Sequence, residues 1–273
     1  MADSIKSMEL YPQPDRLLVE LRARGFADDD AVPVEVLAEV DQLHYHGTAA
    51  LDVAIEQARI DSSSRVLEVG SGWGGCARWL AHRAGASVTT VEMQADYDAI
   101  GRSLTRRTGL DDRVTHVNAD FLDFEPQPVH THVASWLALF HIPDRPRYLA
   151  KIAAALEPGG ALWAEDLYAR EPIPDRERAA FEARLFPNSL VGIDEYRAGL
   201  HHAGLEVVAA EDMSDDWADF TATRAAAFRA DRAAFEARHD PTTFEALDRF
   251  YDGMASDFSR GYVGGIRVLA RKV

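Results

Sequence analysis

Between residues 65 and 168 the chain alternates short apolar runs with stretches of helical periodicity. In order these are RVLEVG, a helix over about 75–84, SVTTVE, a helix over about 95–108, RVTHVNAD, HVASWLALF, a helix over about 144–156, and ALWAEDLY. Near-continuous apolar strands separated by single helices are the mark of βαβ units, whose strands run parallel and are covered on both faces. The pattern therefore predicts an α/β fold: a doubly wound, mostly parallel, seven-stranded sheet of Rossmann-like form.

The alternation stops after Leu167. Residues 169–190 are polar, Arg-rich and broken by Pro172, Pro174 and Pro187, as expected of an insertion over a sheet edge. A helix over 193–203 closed by Gly204 leads into the strand LEVVAAED. Residues 214–258 then read as two helices, and YVGGIRVLAR closes the chain as a strand. A long helical excursion between these two strands implies that the last one is antiparallel. Residues 1–60 read as helical with proline interruptions. The expected organisation is a helical cap over 1–60 and a main domain over 61–273, with insertions at 169–192 and 214–258.

Composition narrows the function classes. Lys+Arg 29 against Asp+Glu 45 gives a formal charge of -16, which repels polyanions and argues against a nucleic-acid partner. The lone cysteine, Cys76, permits no intrachain disulfide, and no run of apolar residues is long enough to target or span a membrane. A cytoplasmic protein is expected. His44, His46, His201 and His202 invite a metal reading, but no cysteine or spaced carboxylate completes a tetrahedral set, so no metal is expected. The Arg/Ala-rich stretches 176–184 and 224–238 both suit exposed helix.

The strongest chemical signal is Val66-Leu-Glu-Val-Gly70-Ser-Gly72-Trp-Gly74-Gly75, a buried strand entering a glycine-rich turn and then a helix. Glycines there let the backbone pass close to a ligand and set a helix N-terminus against it. The loop alone is ambiguous: Gly70, Gly72 and Gly75 satisfy the dinucleotide pattern GxGxxG, while Gly70, Gly72 and Gly74 satisfy GxGxG. Glu68 places a carboxylate at the strand end, which suits an ammonium and repels a pyrophosphate. Glu92 ends the second strand, where a carboxylate accepts from ribose hydroxyls. Asp120, in Asn118-Ala-Asp120-Phe121, is positioned to accept from an adenine amine, with Met93 and Phe121 covering the ring faces. Glu157-Pro-Gly159-Gly160 makes a turn before the fifth strand.

In the motifs LEVGSGWGG, VEM, NADF and LEPGG the span from about 60 to 170 resembles a class I S-adenosylmethionine (SAM) dependent methyltransferase. The resemblance implies SAM as cofactor, with S-adenosylhomocysteine (SAH) as product. Gly70 and Gly72 would lie beneath the methionine part, Glu92 would hold the ribose, Met93 would pack on adenine, Asp120 would meet its amine, and Ser135 at the end of the fourth strand would complete the site. The outer segments are similar to phosphoethanolamine and sarcosine/dimethylglycine N-methyltransferases. The stretches that carry this are LFHIPDRPRYLAKIAAALEPGG and IDEYRAGLHHAGLEVVAAEDMSDDW.

The expected reaction is in-line methyl transfer to a small molecule, with an amine nitrogen favoured as the acceptor. The alternatives are an O- or C-methyltransferase of a secondary metabolite, a nicotinamide oxidoreductase, or a non-catalytic SAM-binding protein. His141, after the fourth strand, is the candidate base, and the resemblance pairs it with a tyrosine, here Tyr45. Trp136 is a candidate aromatic wall. Tyr168 and Arg184 fall where the related enzymes face a phosphate, and Tyr262 and Arg267 on the final strand are expected to reach the same cavity.

Overall fold

The computed structural model describes residues 5, 8–11, 13–127 and 129–273. Residues 1–4, 6, 7 and 12 of the expected cap lie outside them. Among the described residues the helices α1 (Arg16–Ala23), α2 (Val34–Ala38) and α3 (Gly47–Ala58) precede the sheet. Then come β1 (Arg65–Val69), α4 (Gly75–Ala84), β2 (Ser87–Glu92), α5 (Ala95–Arg107), β3 (Val114–Asn118), β4 (His130–Trp136), α6 (Arg145–Ala155) and β5 (Leu156–Ala169). The chain continues through α7 (Asp175–Leu185), α8 (Ile193–His202), β6 (Leu205–Asp212), α9 (Ser214–Ala230), α10 (Arg232–Arg238), α11 (Pro241–Ser259) and β7 (Val263–Lys272).

The seven strands form one sheet in the order β3-β2-β1-β4-β5-β7-β6. β1 to β5 pair in parallel, and β7 runs antiparallel between β5 and β6, as the sequence predicts. β1, β4 and β5 are almost wholly buried, which explains why their sequences are continuous apolar runs rather than alternating ones. One apolar layer, including Leu67, Val133, Tyr148 and Ile266, packs on one face, and another, including Val66, Leu80, Ala134 and Trp163, on the opposite face.

The strand order reverses between β1 and β4. At such a switch point the loops leaving the carboxyl ends of neighbouring strands diverge and open a crevice. A third apolar cluster closes it from outside the sheet, with Met8 and Leu10 from the N-terminal segment, Leu185 from α7, and Phe250 and Met254 from α11.

Two local readings differ from the sequence expectation. The region 214–258 holds three helices, because the chain breaks at Asp231 and restarts at Pro241, where the Asp240 side chain accepts from the Thr243 N–H, a proline-led N-terminus. The turn Glu157–Gly160 lies within the long β5 as an irregularity, where pairing jumps from His130 with Leu156 to His132 with Ala161.

Candidate active site

The crevice is a cavity at the carboxyl ends of β1, β2 and β4. β1 ends in Glu68, Val69 and Gly70, all of which line it. Gly70 has φ +74°, and a Cβ there would fall 2.3 Å from Cβ of Ala138, so only glycine lets the turn pass under the loop leaving β4.

Glu92, at the end of β2, is the pivot of the turn. Its Oε2 accepts the N–H of Gly72 at 2.8 Å and its Oε1 accepts the N–H of Gln94 at 2.8 Å. Each carboxylate oxygen accepts more than one donor, so one site on each oxygen is left for a ligand. Burial pushes the Glu92 carboxyl up to about 7, against the two N–H donors, which favour the charged form. Glu68 is more deeply held. Burial raises it to about 8, opposed by the Cys76 thiol and Arg78, and its Oε2 is buried with no partner. An orphaned carboxylate oxygen facing a cavity calls for a cationic or donating ligand.

Met93, Asp120 and Phe121 also line the cavity. Asp120 caps the turn after β3 by accepting the Leu122 N–H on Oδ1. Carboxylates with acceptor capacity at the ends of β1, β2 and β3, flanked by Met93 and Phe121, fit the ammonium, ribose and adenine of SAM.

The remaining lining is of a different character. His141 ends a 3₁₀ turn (Leu139–His141) and is buried. Its Nδ1 lies 3.1 Å from the Phe186 carbonyl, so Nδ1 carries the proton and Nε2 the lone pair. Burial lowers its pKa to about 4, keeping the ring neutral. Tyr45 is buried edge-on against Trp217, with ring centroids 5.0 Å apart. Burial pushes its hydroxyl up to about 12, opposed by the positive charge of the nearby Arg224. Trp136 lines the cavity too, its indole N–H unpartnered. His141 and Tyr45 thus share the cavity but are oriented by different groups.

Five residues expected at the site are elsewhere. Ser135 is turned into the sheet, its hydroxyl donating to the Val69 carbonyl at 2.9 Å. Strand alternation explains this, since Trp136, the next residue, faces the cavity. Arg184 is locked to Asp257 by bonds of 2.7 and 3.0 Å. The Tyr168 hydroxyl donates to Asp212 at 3.1 Å, and the Tyr262 hydroxyl to Glu177 at 3.1 Å. Arg267 likewise pairs with Glu165 at 2.8 Å. No phosphate-binding cluster assembles from these groups. Of the histidines, His46 meets Asp216 at 2.6 Å, while His44 lines the cavity and bonds to Gln42 and the Tyr45 carbonyl. Sequence reasoning did not single out Tyr11, Gln94, Asn188 or Arg224, which also line the cavity; of these only Gln94, two residues past the second strand's acid, carried a positional signal.

Comparison with known proteins agrees with this geometry. The family model described as mycolic acid cyclopropane synthetase matches residues 38–267. A methyltransferase of Streptomyces halstedii, GfsG, is 30% identical over 183 residues, covering 65% of this chain and 66% of that protein. The glycine/sarcosine/dimethylglycine N-methyltransferase of Actinopolyspora halophila is 29% identical over 157 residues, 57% of this chain and 28% of its own length. The chain thus spans from about a quarter to just under two thirds of these two relatives. Other curated relatives are named as O- and sterol C-methyltransferases. In fold, the chain superposes on a Haemonchus contortus phosphoethanolamine N-methyltransferase solved with phosphomonomethylethanolamine and SAH, with TM-score 0.76, 19% identity, and coverage of 85% of this chain and 55% of that one. No helix among the described residues is long and apolar enough to cross a membrane. With the family model matched over most of its length and the glycine turn of this class at the switch point of its sheet, the chain belongs to the mycolic acid cyclopropane synthetase family of class I SAM-dependent methyltransferases.

Proposed function

We propose that the protein methylates a hydroxyl oxygen of a predominantly apolar small molecule. The observation that carries this reading is the contrast between the two ends of the cavity. The carboxylates Asp41, Glu68, Glu92 and Asp120 lie at the glycine turn and the strand ends, whereas the other end is lined by Met8, Leu10, Phe140, Leu167, Phe250 and Met254. Among the described residues no carboxylate lines that apolar end, so an ammonium acceptor would be desolvated there without a counter-charge. The displaced Arg184, Tyr168 and Tyr262 argue against a phosphorylated amine in the same way.

SAM, when bound, supplies a methyl group activated by a sulfonium. Glu92 would hold the ribose hydroxyls through its two remaining acceptor sites, Glu68 would meet the ammonium and Asp120 the adenine amine, with Met93 and Phe121 covering the ring. Trp136 offers an aromatic face to positive charge. His141 Nε2 would accept the hydroxyl proton as the new carbon–oxygen bond forms and the methyl carbon–sulfur bond breaks, SAH leaving as the neutral thioether. Its low basicity means that this proton moves late, once the oxygen has begun to lose electron density. The apolar walls exclude water and fix the acceptor's position, which is the main demand of an in-line displacement. Residues 1–60 and the 169–192 and 214–258 insertions act as the acceptor-selecting cap.

The nitrogen reading, favoured by the N-methyltransferase relative, is the alternative. Incubating the protein with SAM carrying a deuterated methyl and a metabolite extract, followed by mass spectrometry, separates the two. A labelled ether is expected. A labelled amine overturns the oxygen assignment, and no label despite SAH binding overturns the enzyme reading.

A further inference from the structure

We propose that the acceptor carries an anionic oxygen group, of carboxylate type, on its otherwise apolar body, and that Arg224 selects it. This rests on the methyltransferase reading and refines its substrate class. Arg224 lies on α9, lines the cavity, and is only partly exposed. Its guanidinium carbon sits 5.0 Å from the ring centroid of Tyr45, 5.3 Å from that of Phe220 and 4.7 Å from that of Tyr251. Aromatic faces orient the planar group and attract it, but they do not neutralise it as a carboxylate does.

Three other guanidiniums with little or no exposure show what is missing. Arg78 meets Asp41 at 2.9 Å, Arg184 meets Asp257 at 2.7 Å and Arg267 meets Glu165 at 2.8 Å. Arg145, away from the cavity, also lies over aromatic rings with its Nε and Nη2 buried and unpartnered, but it bonds to Tyr148 at 2.6 Å and feels the charge of Asp166, and it does not line a cavity as Arg224 does. Among the described residues no carboxylate lies within ion-pair distance of Arg224, and its Nε is buried with no partner.

A guanidinium whose Nε is shut off from water without a partner or a counter-charge is costly to hold. The arrangement is consistent if the counter-charge arrives with the ligand. Nothing nearby competes for that anion: burial keeps His44 and His141 neutral, with values near 4, and Tyr45 protonated. One fixed positive charge in an apolar chamber also gives an elongated acceptor a direction. Its anion docks at Arg224, and its nucleophilic oxygen is left to face His141.

The test titrates sodium octanoate and 1-octanol calorimetrically into wild-type protein saturated with SAH, and into the Arg224→Gln and Arg224→Lys variants. Wild type is expected to bind octanoate at least about tenfold more tightly than octanol, the scale of one charge-assisted hydrogen bond. Arg224→Gln should lose that preference and Arg224→Lys keep part of it, with SAH affinity equal in all three. Equal binding of the two probes by wild type, binding of neither, or a preference that survives in Arg224→Gln overturns the proposal. If wild type does not bind SAH, the methyltransferase reading falls, and the octanoate-to-octanol ratio without SAH still judges Arg224.

Discussion

Replacing Glu92 with alanine removes the carboxylate that pins the glycine turn and is proposed to hold the ribose. Two hydrogen bonds from ribose hydroxyls to an ionised, buried group are worth about 1.5 to 3 kcal/mol each when deleted singly. Water refills part of the space and the two losses overlap, so about 3 kcal/mol is expected for the pair, a loss of roughly a hundredfold in SAH affinity. The fold should survive the change. At pH 8 the buried carboxylate is ionised at a cost of about 3 kcal/mol, since its pKa stands near 7 rather than 4.5. Removing that burden offsets the two N–H bonds from Gly72 and Gln94 that are lost with it. Calorimetric titration of SAH at pH 8, with melting temperatures measured in parallel, is the assay. SAH affinity within twofold of wild type, in a variant that melts normally, would refute the reasoning.

His141→Ala should lower turnover by roughly 10² to 10⁴ while leaving SAH affinity intact, measured by initial rates once an acceptor is in hand; unchanged turnover removes the base. Glu68 and Glu92 bind protons more tightly folded than unfolded, so their contribution to stability is fully present below about pH 4.5 and is lost as pH rises through 7 and 8. Because bound SAM or SAH is expected to use both as anions, the rise in melting temperature caused by SAH should grow between pH 6 and 8.5, and a flat profile contradicts that use. Arg184→Ala strands the buried Asp257 and should destabilise the protein by about 3 kcal/mol in urea unfolding, while leaving SAH binding unaltered. Gly70→Ala, with its Cβ driven into Ala138, should abolish SAH binding in the same titration.

The sheet was legible from sequence because its information is local. A parallel strand buried on both faces must be apolar throughout, and the glycines that turn β1 into α4 sit at positions where φ is positive, Gly70, Gly72 and Gly74. The lining acids were legible for the same reason, since Glu68, Glu92 and Asp120 are fixed by their offset from strand ends. What failed were placements that depend on which way a side chain turns to meet a distant partner. Ser135 and Trp136 differ by one residue and so face opposite ways. Arg184 finds Asp257 seventy-three positions away, a pairing that no pattern within α7 announces. Arg224 was hidden in an Arg/Ala-rich stretch that suits solvent-exposed helix, and only the packing of Tyr45, Phe220 and Tyr251 around it sets it apart.

The central claim is that the carboxylates at the strand ends hold SAM and leave the apolar end of the cavity to the acceptor. A crystal structure of the protein with SAH tests it most directly. The account predicts both ribose hydroxyls within about 3 Å of Glu92, the ammonium beside Glu68, and the sulfur facing the side of the cavity that holds His141. SAH bound elsewhere, or with its ribose held by other groups while Glu92 keeps only Gly72 and Gln94, would contradict it.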